Sequence, residues 1–105
     1  MSYTVVFTPE AEAQILELYG YIAAEASPEI AARFTGGIVA YCESLSTFPN
    51  RGNRREDIRP GLRVTSYRGR VAIAFHVDEG QVHIIGVFYG GQDYESLDRF
   101  PKIRT

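Results

Sequence analysis

The chain reads as an α+β fold of two layers: an N-terminal strand, an antiparallel helical hairpin, then a three-stranded antiparallel meander. Three observations carry that reading. Residues 62–89 run through three strand-like segments separated by Arg68-Gly69 and Glu79-Gly80, tight loops in which glycine supplies a positive φ. Thr8-Pro9-Glu10 and Ser27-Pro28-Glu29 each open a stretch of helical apolar spacing, with a capping hydroxyl, proline at the first helical position and an acid near the positive end of the dipole. The connection between those two stretches is very short, which folds them back on each other.

Taken in order, Tyr3–Phe7 is apolar, β-branched and aromatic, a short strand. In the first helix Ala11, Ile15, Leu18 and Ile22 form one stripe, and Tyr19 is expected to widen it. The second carries Phe34, Ile38, Tyr41, Leu45 and Phe48, with Gly36 and Gly37 inside it where the first helix or the sheet can approach closely. Pro49 ends this helix, and PNRGNRREDIRPG follows as an exposed loop with a lone hydrophobe, Ile58.

Two-residue loops would set Val64 opposite Ile73, Leu62 opposite Phe75, Ile73 opposite Gly86 and Phe75 opposite Ile84. One face then bears Leu62, Val64, Val71, Ile73, Phe75, Val77, Val82, Ile84 and Phe88, and the helices must cover it. The other is expected to stay open. It would carry Arg63, Thr65, Tyr67, Arg70, Ala72, Ala74, His76, His83, Ile85, Val87 and Tyr89, a mixed surface suited to a partner that comes and goes. Residues 1–105 make a single domain, large enough for one core without staples, with 94–105 as a polar tail.

The lone cysteine, Cys42, cannot form an internal disulfide, no apolar run is long enough to span a membrane, and no basic leader precedes the first strand. A cytoplasmic protein without membrane attachment is expected. Residues 1–50 hold six acids and one base, whereas 51–105 hold seven acids and ten bases. A basic second half suits nucleic acid or an acidic protein, although dedicated nucleic-acid binders are far more basic.

The chemistry the residues can support is narrow. His76 and His83 are placed opposite each other on adjacent strands, but Asp78 is expected to point to the other face and Cys42 lies on a helix. A third metal ligand is lacking, so no metal or cofactor is expected. No serine, threonine or cysteine stands in a nucleophile elbow, and Gly90-Gly91 is too short for a phosphate-binding fingerprint. Metal-free RNA cleavage needs cations to hold phosphate and a group to move protons; Arg63, Arg70, Tyr89 and Tyr94 are the candidates, with Arg59 at the edge. The same residue types equally fit a protein interface, where arginine and tyrosine predominate.

The runs FTPEAEAQILELYGYIAAEASPEIAARF, SLSTFPNRGNRREDIRPGLRVTSYRGRVAIAFHV and VHIIGVFYGGQDYE resemble the ParE branch of the RelE/ParE toxins of bacterial toxin–antitoxin systems, over residues 3–95. Its most specific parts are the Pro-Glu-Ala helix start, Phe48-Pro49 with the Arg/Gly loop after it, and Ile58-Arg59-Pro60-Gly61-Leu62-Arg63. The resemblance implies the RelE/ParE-like fold and a toxin that inhibits growth by binding DNA gyrase, stabilising a plasmid or genome. It also implies a ParD-like antitoxin partner, through which alone the toxin meets DNA. The antitoxin segment is expected on Arg63, Thr65, Tyr67, Arg70, Ala74 and Tyr89, and the target on Arg59, Arg99, Lys102 and Arg104. The alternatives are a ribosome-dependent messenger-RNA endoribonuclease of RelE type and a non-toxic module that retains antitoxin binding. Tyr89-Gly90-Gly91-Gln92-Asp93 departs from the family's His-Gly-x-Arg-Asp pattern, which weighs against nuclease chemistry.

Overall fold

Thr8 and Ser27 begin helices as their chemistry demands. In the computed structural model, which describes residues 2–90, both are extended, and their hydroxyls accept from the amides of Ala11 and Ile30 at 3.2 and 3.1 Å. Each occupies a donor that the first helical turn leaves orphaned. Thr8 also donates its hydroxyl to the Ile84 carbonyl at 2.9 Å, tying the first helix to the sheet. The elements are β1 (Thr4–Phe7), α1 (Pro9–Glu25), α2 (Pro28–Ser44), β2 (Asn53–Arg54), β3 (Leu62–Tyr67), β4 (Val71–Asp78) and β5 (Gln81–Tyr89). The expected strand, hairpin and meander are all present. The N-terminal strand and the two-residue β2 extend the meander to five strands in the order β1-β5-β4-β3-β2, with β1 parallel to β5 and the rest antiparallel.

The helical stripes hold with two exceptions. Ala11, Leu18, Ile38 and Leu45 are buried, and Ile15, Ile22, Phe34 and Tyr41 are half-buried around them. Tyr19 does not widen the first stripe, and Phe48 is 56% exposed because α2 stops at Ser44 and the chain turns before reaching it. Gly37 meets the sheet: a Cβ there would collide with the Tyr67 hydroxyl, whereas one on Gly36 would meet nothing.

The register of β3 differs from the expected one by a single residue. The two-residue turn forms, with Arg68 and Gly69 both left-handed (φ 55° and 67°) and the Arg70 amide donating to the Tyr67 carbonyl at 3.1 Å. Arg70 then stands outside the ladder, its carbonyl accepting from the Gly90 amide, and Tyr67 pairs with Val71. Because side chains alternate, one position of slip moves all of β3 to the opposite face. Arg63, Thr65 and Tyr67 therefore lie beneath the helices with Val71, Ile73 and Phe75, while Leu62 and Val64 lie on the far side. A second irregularity sits in β5. Ala74 pairs with Gly86 but Phe75 with Ile84, so Ile85 is an extra, bulged residue and Ile73 faces Val87 instead of Gly86. Beyond the bulge the expected pairs hold, Phe75 with Ile84 and His76 with His83.

The sheet is consequently apolar on both faces. Under the helices Phe75, Ile73, Ile84, Val82 and Val87 pack with Ile38, Cys42 and Leu45. On the other face Leu62, Ala74, Ile85 and Phe88 form a smaller cluster, covered by Ile58 from the 50–61 loop. The expected split, with Phe88, Leu62 and Val64 beneath the helices and Tyr67, Val87 and Tyr89 away from them, is thus reversed for those residues. Among the described residues no helix is long and apolar enough to cross a membrane.

Candidate functional site

The helical hairpin, the β3–β4 turn and the end of β5 converge on an aromatic array. Phe34 contacts Tyr67 and Tyr89 nearly edge-on, with ring centroids 5.8 and 6.0 Å apart, Tyr41 meets Tyr67 at 5.6 Å, and Tyr21 meets Tyr89 at 6.3 Å. Edge-to-face pairs of this kind fix one another's orientation. Two concavities open on either side of Tyr89. One, of about 430 Å³, is lined by Gln14, Glu17, Tyr21 and Val87. The other, of about 420 Å³, is lined by Ile22, Ile30, Phe34, Arg68 and Arg70.

The first exists because β1 pairs with only the first half of β5. Past Ile84 the strand edge faces a groove, and the Gln14 side-chain carbonyl occupies the Val87 amide at 2.8 Å. The second is cationic. Arg68 and Arg70 are exposed, and neither guanidinium meets a carboxylate among the described residues. Arg68 instead lies over the Tyr67 ring, 5.5 Å from its centroid, with Nε donating to the hydroxyl. Apolar walls beside two exposed guanidinium groups give this end the chemistry to hold side chains that are hydrophobic and acidic.

The six residues expected to share one open face are not together. Thr65 is buried and bonds the Tyr41 hydroxyl at 2.8 Å, and Tyr67 is wedged below α2. Arg63 is half-buried and donates to the carbonyls of Asn50 and Arg51, anchoring the loop after α2. Ala74 is fully buried on the other face. Arg70 and Tyr89 do meet, at the cationic concavity. Arg59 is distant from them, beside Pro60, Leu62 and His76 in a small pocket of about 140 Å³. Tyr94, Arg99, Lys102 and Arg104 lie outside the described residues.

A family model described as the ParE toxin of a type II toxin–antitoxin system, parDE, matches residues 5–94. The chain belongs to the ParE toxin family. No curated protein matches it. Its fold is similar to that of a chain of a chromosomal ParDE toxin–antitoxin system from P. aeruginosa, at 23% identity and a TM-score of 0.73 over 85% of this chain and 97% of that one. It also resembles a chain of the RelBE2 toxin–antitoxin complex from Mycobacterium tuberculosis, at 26% identity and a TM-score of 0.58 over 85% and 99%. The ParE resemblance and the RelE/ParE-like fold read from the sequence are therefore correct.

Three groove residues of this ParE chain escape a sequence reading. Ile30 stands four residues before Phe34 and eight before Ile38, a helical spacing that extends the second stripe toward the sheet's end. Tyr21 lies off its own stripe, and Arg68 hides inside a turn. Two titratable groups are displaced by their surroundings. Burial above all, helped by Glu43, pushes the Cys42 thiol up to about 12, so the family member's one cysteine is inert packing. His76 is held below the usual imidazole range, chiefly by desolvation and then by His83 and Arg59, against the pull of Asp78. Asp78 is two residues from His76 and so shares its face, contrary to the orientation expected for it.

Proposed function

We propose that this ParE toxin arrests growth in the cytoplasm by binding DNA gyrase, without cleaving a bond, and that a ParD-like antitoxin silences it at the groove around Tyr89. The observation that supports a non-catalytic mode is what Arg63 does. RNA cleavage by Arg63, Arg70, Tyr89 and Tyr94 would need cations free to hold phosphate beside a group that moves protons. Arg63 is spent on two backbone carbonyls, and the Tyr89 ring packs on Phe34 and Tyr21. The described members of the set do not converge on a common reacting atom.

An antitoxin partner is supported by membership of a family of toxin–antitoxin toxins and by the likeness to chains of a ParDE system and a RelBE2 complex. The occupant of the groove is an antitoxin segment with acids for Arg68 and Arg70 and apolar side chains for Ile30, Phe34 and Tyr21. Arg63, Thr65 and Tyr67 support that surface from beneath. Arg59, with Arg99, Lys102 and Arg104, remains the proposed contact for the target, and DNA is met only through the antitoxin.

Purified chain in stoichiometric excess should block gyrase supercoiling, and inducing it should arrest growth with transcripts intact. Cleaved messenger RNA within minutes of induction would instead establish the nuclease. Unchanged growth alongside tight antitoxin binding would leave a binding module. The double variant Arg68→Glu/Arg70→Glu should weaken antitoxin binding at least about tenfold, and the loss should shrink as salt rises.

A further inference from the structure

This chain has two histidines, and the fold sets them side by side on the sheet face that the helices do not cover. His76 and His83 are directly paired across β4 and β5, their rings stacked with centroids 4.7 Å apart and planes 18° from parallel. Asp78 follows His76 by two residues, so the pleat returns its carboxylate to the same face. One ligand atom from each of the three lies within 4.8 Å of the others. Among the described residues neither imidazole takes part in a side-chain hydrogen bond, and Asp78 pairs with no arginine. Two aromatic nitrogens and a carboxylate oxygen thus lie close enough together for one ion to draw them in.

We propose that His76, Asp78 and His83 bind a single zinc ion. A tetrahedral zinc site with bonds near 2.0–2.1 Å holds its ligand atoms roughly 3.3 Å apart. The 4.8 Å spread closes by side-chain rotation alone, since Asp78 is exposed and both histidines are only half-buried. Imidazole with carboxylate selects zinc and its neighbours over magnesium or calcium, which take all-oxygen shells. Three protein ligands leave a fourth position for water or for a donor from a partner. Arg59, beside His76 in the adjoining pocket, adds an opposing positive charge that the Asp78 carboxylate offsets. The ion would clamp β4 to β5 just before their turn. That is the far end of β4 from Arg70 and Tyr89, roughly 20 Å along the strand, so zinc and the antitoxin segment would bind without competing.

The chain lends itself to a direct test. Cys42 is wholly buried within the other core, so no exposed thiol confuses the count among the described residues. Full-length protein without a histidine tag, stripped with EDTA, is titrated with zinc chloride by calorimetry. One ion per chain should bind with Kd on the order of micromolar, and saturating zinc should raise Tm by roughly 10 °C. In nitrogen-15 spectra both imidazoles should shift together, and with two histidines in the chain one variant assigns them. His76→Ala and His83→Ala should each abolish binding, Asp78→Asn should weaken it about tenfold, and all three should keep the parent's circular dichroism in EDTA. If a variant fails to fold, the parent's two imidazole signals still decide. Parent protein that takes up no zinc, imidazoles that ignore it, or a folded His76→Ala/His83→Ala variant that binds as the parent does would each overturn the site.

Discussion

At the scale of single residues, adjacent glycines in α2 carry opposite meanings. Gly36 faces open space, so Gly36→Ala should gain the helix propensity glycine forgoes and raise stability by about 0.5–1 kcal/mol. Gly37 underlies the Tyr67 ring, whose Cζ would lie 3.1 Å from an added Cβ and whose hydroxyl would be nearer still. That ring cannot simply swing aside, because Phe34 and Tyr41 hold it on either flank. Overpacking should outweigh propensity, and Gly37→Ala should cost roughly 1–2 kcal/mol. Tyr67→Phe removes the colliding oxygen, so in Gly37→Ala/Tyr67→Phe the two losses should fall well short of additive. Urea midpoints on the four proteins check this. An additive result would mean that the close approach of α2 to the sheet is not what Gly37 provides.

At the scale of elements, the two helix caps look alike in sequence and differ in the fold. Ser27 satisfies an exposed amide and nothing more, so Ser27→Ala should cost about 1 kcal/mol or less. Thr8 is buried, caps α1 and donates to the Ile84 carbonyl, so Thr8→Ala should cost roughly 2 kcal/mol and Thr8→Ser should restore most of it. Equal losses from the two alanine variants, read as shifts in thermal unfolding, would show that the bond to Ile84 contributes nothing. The caps, the stripes and both turns were legible because each is a local pattern with a local cause. The faces of β3 were not. The chain signals the Arg68-Gly69 turn plainly, but whether Arg70 enters the ladder is settled by Gly90, which takes its carbonyl from across the sheet. The Ile85 bulge is equally silent in sequence, since Ile84 and Ile85 are the same residue type and either could face the helices. A face reasoned from strand alternation inherits both slips, whereas Arg70 and Tyr89, at the strand ends, still line one concavity. Asp78 was misplaced by the simpler error of assigning it the parity of Val77.

At the scale of the whole molecule, one sheet separates two apolar clusters of unequal cover. Seventeen-residue helices α1 and α2 seal the larger, and Phe75→Ala there should cost about 3–5 kcal/mol and unfold the chain as a unit. The smaller is closed by the 50–61 loop, held by Ile58 over Leu62 and by amide bonds from Arg55 to the Leu62 carbonyl at 2.8 Å and from Leu62 to the Arg59 carbonyl at 3.2 Å. Few contacts and an exposed path favour local opening over global unfolding. Ile58→Ala should therefore loosen this cover selectively. Amide exchange at Arg55 and Leu62 should quicken by about tenfold or more, corresponding to a loss of roughly 1.4 kcal/mol or more in opening free energy. Exchange at Ile73 and Phe75 should hardly change. Acceleration spread evenly over the sheet would mean that the two faces open as one cooperative unit. A cover that lifts alone would also bare His76 and Leu62 beside Arg59, which line the small pocket at that end. The proposed antitoxin groove at Tyr89 is lined by no residue of that loop, so antitoxin affinity should be unchanged in the same variant.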